Sequence, residues 1–537
     1  MTATGKSLAT SVLIAGGGPV GLALAVELGL RGVECVVVEP RLEPTRLRPR
    51  AKTLNTRTME HFRRWGLADR VRSAAPLPVS WSQDVCFRTT FVGEEITRFS
   101  GVLGLGDEDT SPERGQQMPQ YALEDVLRAV VGELPSVDLR LGWRVSKVGA
   151  SRSDAVEVQV RDPSGTLSQI HTRFLVGADG ARSVVRDEIG AAYQGTRSLR
   201  PNTGVVFRSP KLGALDPHPP AVQTWVLNQQ TPGMMGPIDR EGLWWLIAFG
   251  VDGTAPDLDA ARLVRGAIGQ DLPVEVISTD PWTARMELVD RCRQGRVFLI
   301  GDAAHLNPPF GGHGLNTGIG DAVDLGWKLA AYLDGWAGAG LLDSYEAERR
   351  PLHRRVIDEA ASNMATLAPE LLSADLVAPG PAGVSARRRA KDRIEETKRA
   401  EYFSLDLVLG HRYDTSPIIP ASPAHAEAWQ TRAYPGRRLP HRWVTPGVST
   451  LDLVGPDHVV LTADPGNVEG LVAAAQRSGM PLTTAHVEKR ELDALGGTTI
   501  VVRPDQIIAW CGDLVAADAN ELPTRLAGRT TEARASS

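Results

Sequence analysis

A run of strand-forming residues, Val12-Leu13-Ile14-Ala15, passes directly into Gly16-Gly17-Gly18-Pro19-Val20-Gly21, an order that suits a strand, a tight turn and a helix. Gly16 permits the turn, Gly18 lets backbone approach a pyrophosphate, and Gly21 lets the helix close on the strand. The pattern predicts a helix over 19–31 whose free N–H groups and positive dipole end face phosphate. A second strand over 34–39 ends in Glu39, 18 positions beyond Gly21, placed to hold a ribose hydroxyl. A glycine-rich turn without a ligand would account for the glycines, but not for the strand, the helix and the acid around them.

A second motif, Gly301-Asp302-Ala303-Ala304-His305, follows some 280 residues later, trailed by Pro308 and Gly311-Gly312-His313-Gly314-Leu315-Asn316. Between the two lies Gly177-Ala178-Asp179-Gly180-Ala181-Arg182-Ser183. Together these three segments resemble, in order and spacing, the signatures of FAD-dependent aromatic hydroxylases, the single-component flavoprotein monooxygenases with the p-hydroxybenzoate hydroxylase fold. The resemblance implies an α/β architecture with a glutathione-reductase-type, Rossmann-like FAD domain and a sheet-based substrate domain. It further implies non-covalent FAD, NADPH or NADH as electron donor, and dioxygen and a small aromatic molecule as substrates. By that resemblance the oxygen reaches a phenolic, polycyclic or heteroaromatic ring through a flavin C4a-hydroperoxide.

Residue by residue, the resemblance gives Glu39 the adenosine ribose, Asp302 the ribityl chain, and Arg50 the cofactor's phosphates. Gln120 matches a ribityl-side glutamine, and Val145 would offer backbone to the adenine. Pro19 and Val20 belong to the phosphate turn, and Asp179 to the segment associated with both FAD and NAD(P)H. Gly314, Leu315 and Asn316 open a helix over 316–333 whose N-terminus would face the flavin N1–C2=O edge, favouring negative charge there. Pro308 would place its carbonyl near C4a. Many relatives carry Gln in place of His313 and Asn in place of Asp324. His313, expected beside the ring, is either a titrating sensor of charge or a neutral hydrogen-bonding spacer.

Composition bounds the rest. The chain has 537 residues, a 42% hydrophobic and 23% charged make-up and a net charge of −5, which describes an ordinary soluble globular protein and gives no sign of a nucleic-acid or acidic-polymer partner. No nucleic-acid module is visible, and no apolar run is long enough to span a bilayer. The apolar run after Lys6 ends in glycines and reads as a buried strand rather than a signal peptide. Cys35, Cys86, Cys292 and Cys511 are scattered, forming no metal-ligand cluster, so no metal site and a reduced, cytoplasmic setting are expected.

The expected domains are 1–194 and 286–375 for FAD, 195–285 for substrate, and 400–527 for a C-terminal unit. The last, through Gly410-His411-Arg412-Tyr413 and Val501-Val502-Arg503-Pro504-Asp505, resembles the thioredoxin-like domain of phenol-hydroxylase-type relatives. Having only Cys511, it has no dithiol chemistry and is expected to support the active-site domain or an oligomer interface, such as that of a homodimer. Strand-like runs at 203–208, 223–228 and 243–251 predict a sheet over the flavin, with residues 75–105 adding to its wall. Its aromatic and thioether side chains, Trp225, Met235, Trp245 and Phe249 foremost, are candidates for the wall of a flat apolar pocket. Pro351 is expected to end one helix before another over 353–366, the stretch 378–383 to be a linker, and 387–393 a solvated helix face. The segment 529–537 is expected to be disordered.

Two other readings stay open. A Baeyer–Villiger oxygenation uses the same scaffold, and a non-catalytic FAD fold could bind an aromatic intermediate. Halogenation is set aside, because Leu243-Trp244-Trp245-Leu246-Ile247-Ala248 lacks the W-x-W-x-I-P signature.

Overall fold

A computed structural model describes residues 8–48, 51–106, 109–152, 154–365, 369–420 and 430–529. Arg50 and the tail beyond Arg529, both singled out in the sequence, lie outside them.

The N-terminal strand Leu8–Ala15 sits in the middle of a parallel sheet, flanked by Cys35–Glu39 and Leu167–Gly177. Val137–Leu141 and Val297–Leu299 extend that sheet on either side, also parallel. Val12, Leu13 and Ile14 are fully buried, as a strand covered on both faces requires. The helix Pro19–Gly29 buries every residue except Val20. It packs between the helices Gln120–Gly132 and His313–Leu333. The strand Val297–Leu299 brings the second motif back beside the first from far along the chain.

A second sheet of eight strands forms a roof. Its backbone is the pair Tyr193–Arg208 and Glu275–Val289, joined by Leu243–Phe249, Gly233–Pro237 and Gln223–Val226. Strands Val85–Arg88 and Glu95–Phe99, from the early part of the chain, extend one edge, and His305–Leu306, paired with Glu275–Val289, completes the other. Side chains alternate across a strand, so the roof has two apolar faces. Trp225, Met234, Trp245 and Phe249 share the face packed against Phe87 and Phe310. Met235 and Trp244 are on the other, under the helix Ala260–Ile268.

Two features depart from the sequence expectations. The helix Ala339–Ala365 runs straight through Pro351. Proline removes the N–H that would satisfy the carbonyl of Ala347; here the Thr415 hydroxyl donates to that carbonyl at 2.5 Å. The stretch 378–383 is no linker, because a helix begins within it at Gly380, with Pro381 in its first turn, and runs to Tyr402. As expected, the charged side chains of the run 387–393 lie on the solvated face of that helix, while Ala386, Ala390, Ile394, Lys398 and Tyr402 are buried on the other.

The C-terminal unit has a four-stranded sheet in the order Leu482–His486, His458–Thr462, Thr499–Val502, Ile508–Gly512. The first two strands are parallel and the others antiparallel, with helices Glu469–Ser478 and Ala516–Leu526 against it. This is the βαβ–ββα order of the thioredoxin-like arrangement. Burial raises the thiol pKa of Cys511 to about 11, of Cys86 to about 11 and of Cys35 to about 12, so none is a reactive thiolate at neutral pH.

The unit is keyed to the rest by a buried ionic network. Arg503 bonds Glu348 at 2.8 Å, Asp324 at 3.0 Å and Asp505 at 2.5 Å. Lys328 meets Asp324 at 2.8 Å and Glu348 at 2.7 Å. Arg57 reaches the Asp505 carbonyl at 2.6 Å and Glu60 at 2.8 Å, and Arg438 closes on Glu60. Four cations thus face four carboxylates, which is what allows charges to stay buried. Asp324, unusual by its sequence resemblance, therefore serves this junction.

Candidate active site

The two sequence motifs meet at the start of two helices. At Gly16, with φ +107°, an added Cβ would lie 2.3 Å from the Ala178 carbonyl oxygen, and at Gly21 one would lie 2.0 Å from the Gly16 carbonyl oxygen. Ala178 in turn donates to Ala15, at 2.8 Å. Gly18 is different, because the nearest atom to a Cβ there is Arg41 Nη2 at 4.0 Å. The turn is therefore packed behind Gly16 and Gly21 and open in front of Gly18. The helix Pro19–Gly29 has no side-chain cap at its start, nor has His313–Leu333, which Gly312 precedes in a left-handed conformation. Both leave first-turn N–H groups for an anion or carbonyl oxygen.

These helix starts are in contact. A Cβ on Gly318 would stand 2.6 Å from Val20 Cγ2 and 3.2 Å from Gly301 Cα. Val20 thus bridges the phosphate turn and the Gly301–Ala303 turn that carries Asp302. Asp302 is exposed there, and its backbone carbonyl accepts the Tyr193 hydroxyl.

Glu39 is buried at 3% exposure and accepts from Gly17 N at 2.8 Å, Arg41 N at 2.9 Å and Arg41 Nε at 2.7 Å. Arg41 also approaches Glu124 at 3.4 Å, and Gln120 donates to Glu124 at 2.8 Å. Burial raises the pKa of Glu124. Val145 is buried in the strand Arg144–Ser151. Asp179 spends its carboxylate on Val184 N at 2.8 Å, Val185 N at 3.2 Å and the Ser183 hydroxyl. It shapes its loop from within.

Asn316 ties the site helix to the neighbouring segment: its Oδ1 accepts from Asn55 N at 2.9 Å, and its Nδ2 donates to the Thr53 carbonyl at 3.0 Å and the Gly312 carbonyl at 2.7 Å. Gly314 faces the Asn307 amide, with 3.3 Å from a Cβ to Oδ1, and Leu315 lies partly buried beside it. Asn307 Nδ2 donates to the Pro308 carbonyl at 3.2 Å. Beneath this loop Asp321 accepts from His305 at 2.8 Å, His353 at 2.7 Å, Arg349 at 2.8 Å and Gly301 N at 3.1 Å. Those donors hold Asp321 well below the usual carboxylate range against its burial. Two histidines and a carboxylate suggest a metal site, but a guanidinium on the same carboxylate oxygen opposes a dication.

The imidazole of His313 is 3% exposed and turned inward, so close to Gly311 that a Cβ there would lie 2.4 Å from Nε2. It lines an internal cavity of about 30 Å³ with His61, His411, Arg349 and Tyr413. Burial pushes its pKa down to about 4, so it is neutral at physiological pH. Its Nε2 has no hydrogen-bond partner among the described residues.

Of the four wall candidates, Met235 is misplaced, since it lies in the outer core of the roof. Its neighbour Met234 faces inward. The strand period of two decides this, and one residue of register reverses it. Trp225 stacks on Phe87 at 5.5 Å and on Phe310 at 6.2 Å, and Phe249 also meets Phe310 at 6.2 Å. Phe310 was passed over within the glycine-rich loop, where a lone aromatic was the available signal. Lys52, which no sequence motif singles out, has its ammonium 4.1 Å over the Trp245 ring.

Residues 9–360 match the family described as FAD binding domain, and residues 432–530 match the aromatic-ring hydroxylase C-terminal domain. The chain belongs to the FAD-dependent aromatic hydroxylases. The enzyme is 34% identical to 4-methyl-5-nitrocatechol 5-monooxygenase of a Burkholderia species, over 94% of this chain and 95% of that one. It is 32% identical to aklavinone 12-hydroxylase of Streptomyces purpurascens, over 95% and 96%. Among solved structures, the rebeccamycin biosynthetic enzyme RebC with reduced flavin superposes with a TM-score of 0.90 at 36% identity, covering 98% of this chain and all of that one. The monooxygenase PieE, in complex with FAD and substrate, gives 0.87 at 28% identity, over 97% and 98%.

Proposed function

We propose that the enzyme uses NADPH or NADH to insert one atom of dioxygen into a phenolic, polycyclic or heteroaromatic ring held between the flavin and the roof sheet. The observation that carries this reading is the junction of two uncapped helix starts below an aromatic face that ends on Phe310. FAD held here would supply the redox chemistry, accepting reducing equivalents from the nicotinamide and activating dioxygen. The chain's own residues bind, orient and exclude water. Gly16, Gly18 and Gly21, with Pro19 and Val20, receive the pyrophosphate on backbone. Glu39 takes the ribose, Val145 the adenine edge, and Gln120, Asp302 and Arg50 the ribityl chain and phosphates. Gly314 and Leu315 offer N–H groups to the flavin N1–C2=O edge, and Asn316 and Asp179 fix the loops that present them. Pro308, its carbonyl held by Asn307 Nδ2 at 3.2 Å, would line the flavin side of the site. Trp225, Trp245 and Phe249 close the substrate layer against water.

By their names the relatives act on 4-methyl-5-nitrocatechol, 2,4-dichlorophenol or aklavinone, which supports a hydroxylatable ring as substrate. The test is NADPH and NADH oxidation by FAD-loaded enzyme with and without a panel of phenols and polycyclic aromatics. The expected result is strong stimulation with a product heavier by one oxygen. No stimulation by any aromatic, from protein that retains FAD, would overturn the reading.

A further inference from the structure

The helix Gly380–Tyr402 lies between the two matched family regions, of which one ends at 360 and the other begins at 432. It packs on the roof strand Glu95–Phe99, on the helix Ala339–Ala365 and on the turn Phe310–Gly312 that leads into the site helix. Positions 398, 401 and 402 share one face of its last turn. Tyr402 grips the roof, its hydroxyl accepting from Gln223 Nε2 at 3.1 Å and from the Trp225 indole N–H. Lys398 touches roof and turn together. Its ammonium lies 4.7 Å from the centre of the Trp225 ring and 5.6 Å from that of Phe310. The lysine has no exposed surface, and its ammonium donates to the Asn363 carbonyl at 2.9 Å and to Glu401 Oε2 at 2.9 Å. Burial raises the pKa of Glu401, opposed by the Lys398 ammonium and by a hydrogen bond from the Gly311 backbone.

A buried ion pair is costly to desolvate, and apolar residues of similar volume often serve stability as well. An ammonium shared by two rings adds something they do not, because attraction to a ring face favours a particular distance and direction. The turn has need of such a restraint. Gly311 and Gly312 have φ of +78° and +67°, and glycine on its own does little to hold a backbone in one conformation. We propose that Lys398 is a positioning residue of the active site: with Glu401 as its buried counter-ion, it fixes the Phe310–Gly312 turn, and so the start of the site helix, beneath the roof. The proposal rests on the reading that the flavin ring lies against this turn, but not on turnover.

The test compares wild type with Lys398→Leu/Glu401→Gln, both loaded with FAD and oxidised. The double substitution removes both charges and strands neither, so the melting temperature is expected to stay close to that of wild type. The visible circular dichroism of the bound flavin reports the immediate surroundings of its ring, and is expected to lose most of its wild-type intensity. Wild-type dichroism in the double variant overturns the proposal and makes the pair a matter of folding alone. Should the variant fail to fold, a crystal structure of the FAD-loaded wild type decides. The ammonium is expected against both the Trp225 and Phe310 rings, and its separation from either ring overturns the proposal. The same crystal locates the flavin: a ring placed elsewhere counts against the reading of the site, whereas unchanged dichroism with the ring at the turn counts against Lys398.

Discussion

Gly18 and Gly21 stand three residues apart in one turn and meet opposite surroundings. A methyl group at Gly21 runs into the Gly16 carbonyl at 2.0 Å, whereas one at Gly18 enters open space. Gly21→Ala is therefore expected to destabilise the apoprotein by about 1–3 kcal/mol through overpacking. Gly18→Ala should change apoprotein stability by no more than about 0.5 kcal/mol, yet weaken FAD retention about tenfold or more, because the cofactor needs that space. Thermal melts of apoprotein beside flavin fluorescence after dialysis separate the two. A Gly18→Ala protein that keeps FAD would refute the placement of the pyrophosphate. His313 makes a second case at this scale. Its buried Nε2 and the Nδ1 of His61 lack hydrogen-bond partners among the described residues, and both residues border the 30 Å³ cavity, room for a water or two. A crystal structure should show ordered water there, and a dry cavity would leave both nitrogens unexplained.

Among the elements, the helix Ala339–Ala365 and the strand Thr499–Val502 with its following Arg503 meet across the buried ionic network. Arg503→Met removes one cation and leaves Asp324 and Glu348 sharing Lys328 alone. The expected cost is about 3–5 kcal/mol, read as a lower denaturant midpoint. An unchanged midpoint would mean the C-terminal unit docks by apolar packing instead. This junction also shows what the sequence could and could not tell. The strand, turn and helix at the phosphate site were legible, since every requirement there is local: a glycine at a positive φ, a helix start, an acid at the next strand's end. Pro351 misled, because the hydroxyl that satisfies the Ala347 carbonyl comes from Thr415, 68 residues on. The proline- and glycine-rich stretch at 378–383 misled for a related reason, since proline in a first helical turn is favourable and only the buried face of 380–402 shows that a helix follows. Met235 failed on register: the aromatic content of the roof was evident, but which of two adjacent methionines faces inward depends on pairing with Thr224 and Leu246.

Over the whole molecule, buried neutral histidines set the response to acid. Burial lowers His313 and His441 to about 4, and His353 and His458 to about 3, from an ordinary 6.5. Between pH 6.5 and about 4 the unfolded chain takes up protons at these sites that the folded chain refuses, so stability is present above pH 6.5 and is lost as the pH falls. Asp324 acts oppositely. Burial, with Glu348 and Asp505 nearby, raises it to about 7, so its share is present below pH 3.8 and is lost as pH rises through 7. His61 and His411 are held well below 6.5 by burial as well, so six histidines outweigh Asp324 and unfolding takes up protons through this window. The depressed carboxylates Glu27, at about 2, and Asp321 add their loss only below about pH 4.5, so the two regimes separate. The melting temperature is expected to fall steeply from pH 6.5 to 4.5, before acid denaturation by carboxylates begins. His458 offers the sharpest control: its ring lies edge-on to Trp327 at 5.5 Å and Trp336 at 5.8 Å, where a phenyl ring can take its place. His458→Phe should flatten the slope by about one proton, or about 1.4 kcal/mol per pH unit, without lowering the neutral-pH melting temperature. A wild-type melting temperature that stays level down to pH 4.5 would show that these imidazoles titrate freely in the folded protein, with water reaching the domain junction that the ionic network seals.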